Sequence, residues 1–478
     1  MMNDAKKAAL AAVEQEKELL EHVSDSIWEY AELSLQEYKS AALLCQVLEQ
    51  QGFAVEQGIC GIETAFSASY GSGKPVIGIL AEYDALSGLS QQGGCTEKTP
   101  LIHGGTGHGC GHNMLGAGAL GAALGVKYYL QQAGCSGTVV LYGCPGEEGG
   151  AAKAFMARDE LWRGLDAALT WHPDDCNEAA TGTSNACIQV QYLFHGVAAH
   201  AAGAPEKGRS ALDAVTLMNL GVEFLREHMD GKCRIHYTIT NGGGFSPNVV
   251  PAEAAVLYMV RADQVKKALA LQARVDDIAQ GAALMTGTTY TRKFIDGLAE
   301  TIPNHALEAL LHKNLTELGA PSYTPEELAF ADAVAATFDG AGVVPGSGQE
   351  DPAYAAQVKA LQGAHAMNDF VMPLYTGEAF CPGSTDVGDV SWQCPTAQLH
   401  IAAWPNGCPG HSWQNVSCGK SALGHKAVVH AGKVLCAAVI DLLTQEELLV
   451  QAKAEFAQRT AAGYSCPIPP EAVPTIPE

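Results

Sequence analysis

Gly137-Thr-Val-Val-Leu-Tyr-Gly-Cys-Pro-Gly-Glu-Glu148 reads as a buried strand that runs into a turn and ends on two carboxylates. Its first half, residues 137–142, is β-branched and apolar without alternation, as expected of a strand covered on both faces. Pro145-Gly146 breaks the extended run, and residues 151–163 then read as a helix. The same grammar recurs on either side. The run 76–80 (Val-Ile-Gly-Ile-Leu) ends in Ala81-Glu82-Tyr83-Asp84, and Ala167-Ala-Leu-Thr-Trp171 ends at His172-Pro173. A buried strand, ionisable residues at its C-terminal end and then a helix is the pattern of an α/β fold. It predicts a three-layer αβα catalytic domain with a mostly parallel sheet and ligand sites at the strands' C-terminal edge.

Before this core, residues 4–52 read as two helices with a break near Ser24-Asp25-Ser26, followed by strand-like segments at 53–55 and 65–68. Residues 114–132 form a helix rich in Ala and Gly, suited to close packing on a sheet. From residue 186 the pattern changes. Strand-like runs at 186–194, 234–240, 253–261 and 288–294 alternate with helices at 210–228 and 264–285, in the order β-α-β-β-α-β. This is the order of a ferredoxin-like α+β unit. Residues 186–296 are therefore expected to be an inserted lid or dimerisation domain, with 1–185 and 297–478 forming the catalytic domain. Helices are expected at 304–319, 325–336 and 423–443, and a surface excursion at about 338–366. The proline-rich tail 466–478 is expected to be frayed or laid over the surface.

The net charge of −24 argues against nucleic acid or an anionic membrane as partner, since either needs a basic face. With 47% hydrophobic and 17% charged residues the chain has the composition of a globular protein. Fifteen scattered cysteines without a CxxC pair suit reduced thiols better than a disulfide framework or a zinc knuckle. No basic head followed by an apolar run opens the chain, and the expectation is a soluble cytoplasmic protein.

The chemistry-bearing cluster is Gly107-His-Gly-Cys-Gly-His-Asn113. Glycines around Cys110 and His112 let the backbone bend so that a thiolate and an imidazole converge on one cation. The alternative is a buried thiol with a histidine capping the helix that follows. His108 can hold a ligand's tautomer or be purely structural. Glu147 and Glu148 point to opposite sides of an extended chain, so one can bind a cation while the other moves a proton; a carboxylate pair favouring a helix dipole is the bland reading. His172 sits at the end of the next strand, and His411, in a glycine–proline turn, is a distal ligand candidate.

These motifs resemble the twin-metal aminoacylase–carboxypeptidase family, in the branch with a Cys-Gly-His metal turn. The resemblance spans nearly the whole chain, through Glu82-Tyr-Asp-Ala-Leu86, residues 107–113, Tyr142-Gly-Cys-Pro-Gly-Glu-Glu-Gly-Gly150, Gly208-Arg-Ser-Ala-Leu-Asp213, Ser246-Pro-Asn-Val-Val250, Ser384-Thr-Asp-Val-Gly-Asp389 and His411-Ser-Trp-Gln414. It implies two divalent metal ions, Mn2+ or Zn2+ with Co2+ or Ni2+ as further options. Their ligands would be Cys110, His112, Glu148, His172 and His411, with Glu147 as general base and acid. His200, in Ala198-Ala-His-Ala-Ala202, would stabilise the tetrahedral intermediate in its own or a partner's site, and Asn248 would contact substrate. Arg209 is a further candidate for gripping a substrate carboxylate, or else a solvated residue at a helix start. The implied reaction is hydrolysis of the amide between an acyl or aroyl group and a glutamate-like or aspartate-like amino acid. The chain would form a homodimer through the inserted domain or a hetero-oligomer with a homologous partner chain.

Two departures from the branch pattern stand out. Asn113 replaces a common aspartate, and Pro205-Glu-Lys207 replaces a proline–histidine pair, which leaves the glutamate preference open. The competing readings are a dipeptidase or aminoacylase of the same fold and a non-catalytic partner in a larger hydrolase. The intact Glu147–Glu148 pair and the full set of ligand types argue against the latter.

Overall fold

The computed structural model describes residues 3–340 and 342–476. Its main sheet has seven strands in the order Ala54–Gln57, Phe66–Ser72, Gly137–Gly143, Val76–Ala81, Ala167–Asp174, Thr396–Ala402 and Glu178–Ala180. The four central strands, from Gly137–Gly143 to Thr396–Ala402, are parallel, and the pairs beyond them are antiparallel. The sheet is thus mixed, with its parallel part confined to the centre. The antiparallel edge follows from chain length, because the short link between Gln57 and Phe66 permits a hairpin but not a crossover.

Alternation along the strands divides the core into two layers. Ile77, Ile79, Val139, Leu141, Leu169, Trp171, Leu399 and Ile401 face one cluster, built with the helices Asp4–Gln15, Lys17–Tyr30, Tyr38–Gln50, His112–Ala133 and Ala422–Thr444. Leu80, Val140, Tyr142 and Ala168 face the other, covered by the Ala152–Arg158 helix and by Trp162, Val390 and Ile468. The small residues of His112–Ala133 let Ala422–Thr444 approach closely, with Gly125 against Cys436 and Gly432 against the Gly118 carbonyl. Ala422–Thr444 is long and apolar enough to cross a bilayer, but 78% of its most apolar window is buried inside the protein. It is a core helix of this layer.

Two sequence expectations change. The break near Ser24-Asp25-Ser26 lies inside the helix Lys17–Tyr30; the interruptions come at Glu16 and after Tyr30. Those polar residues face partners rather than a turn: Asn113 Nδ2 donates to Ser24 Oγ at 3.0 Å, and Asp25 pairs with His425 at 2.8 Å. The excursion at 338–366 contains a helix, Pro352–Leu361, capped by Asp351. Ser347 ties that excursion to the buried Glu178 through its amide and hydroxyl. Of the two readings of the tail, its described part, residues 466–476, follows the one that lays it over the surface: Ile468 is buried and the Ala472 carbonyl accepts from Arg158.

The second sheet has the order Thr289–Leu298, Ala186–His195, Glu253–Ala262 and Arg234–Asn241, with every neighbour antiparallel. The helices Ala211–Leu225 and Val265–Thr286 pack on one face with their own core. Chain order and strand order together give the ferredoxin-like arrangement.

Candidate metal centre

The parallel strands deliver the site. Val76–Ala81 ends at Glu82 and Asp84, Gly137–Gly143 leads to Glu147 and Glu148, and His172 lies near the end of Ala167–Asp174. The Cys110 turn precedes the helix starting at His112, with Gly111 at φ +78°. A Cβ there would lie 2.7 Å from Pro173, so the turn approaches the His172 segment only with glycine. Gly109 lies near the His411 backbone, where an added Cβ would sit 3.3 Å from its Cα. His411 itself adopts φ +51°, a strained conformation for a non-glycine residue at the site's rim.

Five predicted residues converge. Donor atoms of Cys110, His112 and His172 lie within 4.8 Å of one another, as do those of Cys110, Glu148 and His411, so Cys110 belongs to both groups. Cys110 Sγ is 3.4 Å from His172 Nε2, and His411 Nε2 is 3.5 Å from Glu148 Oε2. Two donors held about 2.0–2.3 Å from one ion at tetrahedral angles lie roughly 3.3–3.7 Å apart, which these spacings meet. Two buried atoms, His112 Nε2 and Glu148 Oε1, have no hydrogen-bond partner among the described residues. Leaving such atoms unpaired is costly, and a cation would satisfy both. The residues present fit a metal centre of mixed thiolate, imidazole and carboxylate donors.

The surrounding contacts fix the tautomers. His172 Nδ1 donates to the Pro173 carbonyl at 2.7 Å, which leaves Nε2 with its lone pair toward Cys110. Burial first, then the neighbouring His112, pushes His172 down to about 4, so the ring is neutral. His112 Nδ1 donates to Asp84 Oδ1 at 2.8 Å, so Nε2 faces the pocket. Burial would lower the ring's proton affinity, but Cys110 and Asp84 raise it well above the usual imidazole range, and a bound cation would take the place of the Nε2 proton. Asp84 also accepts from Ser34 Oγ and from the Glu148 amide. Burial would raise its carboxyl, but these bonds, led by His112, hold it down at about 2. Burial pushes the Cys110 thiol well up in the absence of a cation; a bound ion reverses that by stabilising the thiolate.

Glu147 shares a second pocket with Glu82 and His112, their donor atoms again within 4.8 Å. Burial and then the charges of Glu82 and Glu148 raise its carboxyl well above the usual range. A carboxylate with raised proton affinity beside a cation pocket is suited to taking and returning a proton.

Other candidates lie elsewhere. His108 is buried, donates from Nε2 to the Ile27 carbonyl at 2.9 Å and is held neutral, at about 4, by burial. It ties the metal turn to the helix Lys17–Tyr30 and bonds none of the predicted ligands among the described residues. His200, Asn248 and Arg209 are on exposed loops beside the second sheet, outside the cluster. The His200 ring accepts from the amides of Ala202 and Gly203, and the Asn248 carbonyl accepts from Ala201, so the two loops are tied together. Arg209 donates to the carbonyls of Glu206 and Gly208, bracing its own loop. Asp84 escapes a sequence reading as a site residue, although its position at a buried strand's C-terminal end is the available signal.

Comparison with known proteins places this geometry. The chain is 43% identical over 476 residues, 97% of each chain, to one of the subunits of p-aminobenzoyl-glutamate hydrolase of Escherichia coli K12. Residues 182–284 match a peptidase dimerisation domain. The chain belongs to the M20 family of metal-dependent peptidases and amidohydrolases, and it is a hydrolase of amide bonds. It is also 26% identical to a second, different subunit of p-aminobenzoyl-glutamate hydrolase from the same organism, over 58% of this chain and 66% of that one. A dinuclear metal-binding M20 peptidase from Bacillus subtilis shares the fold, with a TM-score of 0.55 and 17% identity over 90% of this chain and 99% of that one.

Proposed function

We propose that the chain cleaves the amide of an N-acyl or N-aroyl amino acid, with p-aminobenzoyl-glutamate or a similar acyl-glutamate or acyl-aspartate as substrate. The observation that carries this is the convergence of Cys110, His112, His172, Glu148 and His411 beside Glu147 at one sheet edge. These five residues would hold two divalent cations, Mn2+ or Zn2+. Bound there, the cations would supply Lewis acidity, polarising the scissile carbonyl and acidifying a water. Glu147 then takes the proton from the attacking water and returns it to the leaving amine as the C–N bond breaks. Asp84 and the Pro173 carbonyl hold the two imidazoles in register throughout. The fifteen free thiols are consistent with a reducing cytoplasm.

His200 and Asn248 supply the intermediate- and substrate-facing groups from a dimeric partner or after closure of the inserted domain, because both are exposed and outside the cluster. The first alternative would make the enzyme an obligate oligomer, either of two copies or with a homologous chain. A second reading, a chain active only with that homologous chain, draws on the similarity to two different subunits of one E. coli hydrolase. A panel of N-acyl and N-aroyl amino acids and dipeptides, assayed on metal-reconstituted protein with and without the partner chain, tests both. Turnover of dipeptides alone would replace the proposed substrate class.

A further inference from the structure

Lys153 is 0% exposed, on the short helix that follows the Glu147–Glu148 turn, and the proposed reaction does not use it. A lysine ammonium is rarely so deeply buried without paired carboxylates. Its Nζ contacts Glu82 Oε1 at 2.8 Å and Asp386 Oδ1 at 2.5 Å, and its amide donates to Asp386 Oδ2 at 2.9 Å. Asp386 is itself 0% exposed and comes from the Ser384-Thr-Asp-Val-Gly-Asp389 turn. One oxygen of Glu82 is thereby committed to the ammonium. The other, Oε2, lies 3.3 Å from His112 Nε2, the buried nitrogen without a hydrogen-bond partner among the described residues.

That contact lacks hydrogen-bond geometry. It has the spacing of two donors on one ion, roughly 3.3–3.7 Å for tetrahedral ligation at about 2.0–2.3 Å. Resting on the two-cation reading above, we propose that Glu82 is an additional carboxylate donor to the cation held by His112, and that Lys153, backed by Asp386, is the positioning residue that turns Glu82 toward it. Lys153 takes up one oxygen, and with it part of the charge of an otherwise strongly anionic pocket of Glu82, Glu147 and Asp386. The pocket thus accepts a sixth protein donor without adding a full uncompensated charge.

The test is a titration of apo-protein with Co2+ and with Zn2+, following stoichiometry by equilibrium dialysis and the cobalt absorption spectrum. It compares wild type, Glu82→Gln and Glu82→Asp. Two equivalents bound by the wild type uphold the two-cation reading; fewer than two would sink that reading whatever the variants do. Given two, the expected result is that Glu82→Gln weakens one equivalent by about 10–100-fold and changes the cobalt spectrum, while the other equivalent is unmoved. Glu82→Asp keeps the charge beside Lys153 and shortens the reach, and it provides the reading if the Gln variant does not fold; the same loss of one equivalent is expected. Wild-type affinity for both equivalents with an unchanged spectrum, in whichever variant folds, would overturn the role given to Glu82.

Discussion

His112 Nδ1 donates to Asp84 Oδ1 at 2.8 Å, and this bond decides which imidazole nitrogen is left for a cation. Because Asp84 also accepts from the Glu148 amide at 2.9 Å, one carboxylate orients two of the proposed ligands, one through its ring and one through its backbone. Three segments far apart in sequence, ending at Asp84, Cys110–His112 and Glu148, are thereby held together by a single buried acid.

Asp84→Asn puts an amide NH2 group opposite the Ser34 hydroxyl and the Glu148 N–H, or else turns it against His112. Either orientation loses an acceptor and the charge that stabilises the imidazole's donor tautomer. Metal affinity is expected to fall about 10–100-fold, measured by competition with a chromogenic chelator.

Glu147→Gln keeps the size of the side chain and removes its basicity. Two cations are expected to bind as in the wild type, while kcat falls by about 10²–10⁴-fold. A variant with full metal content and near-normal turnover would take the base assignment away from Glu147.

How much of the fold and site is legible in the sequence differs from residue to residue. The strands that lead to Glu82 and Glu147 and the one that carries His172 can be read because buried parallel strands leave continuous apolar runs, and the ionisable residues at or just past each run's end sit near the edge. Cys110 and His112 stand out by their glycine spacing. Asp84 shows only as a carboxylate at an edge, since its hydrogen bond to His112 spans 28 residues and no local period records it. Lys153 sits in a run of alanines that reads as a plain helix; its partner Asp386 is 233 residues away. The false break at Ser24 has the same origin. Polar residues there read as a turn, whereas tertiary partners, Asn113 and His425, satisfy them within the helix.

Gly118 lies beneath the Trp171 indole, and a Cβ there would sit 2.6 Å from Nε1. In an open helix Gly→Ala would stabilise. Here it displaces the ring from its bond to the Leu115 carbonyl, at 2.9 Å, next to the proposed ligand His172. Gly118→Ala is expected to cost roughly 1–3 kcal/mol and to lower metal affinity, read by thermal melts of apo- and metal-loaded protein.

Asp389 is buried, accepting from Tyr464 Oη at 2.6 Å and from the Ala299 amide at 2.9 Å. Burial outweighs both bonds and raises its carboxyl from 3.8 to about 7. A raised folded value means that the folded state holds the proton more tightly than the unfolded one. The associated stability is present below pH 4 and lost as pH rises toward 7. Asp389→Asn removes this dependence, so the change in melting temperature between pH 4 and pH 7 is expected to be smaller in the variant. An identical pH profile for both proteins would contradict the assignment.

The most direct measurement is release of glutamate from p-aminobenzoyl-glutamate by the purified chain loaded with Mn2+ or Zn2+, beside the same protein treated with chelator. Turnover that appears with two equivalents of metal, disappears with chelator and is lost in Cys110→Ser and His172→Ala is the predicted result. A fully loaded protein that cleaves no N-acyl or N-aroyl amino acid, alone or mixed with the homologous partner chain, would contradict it.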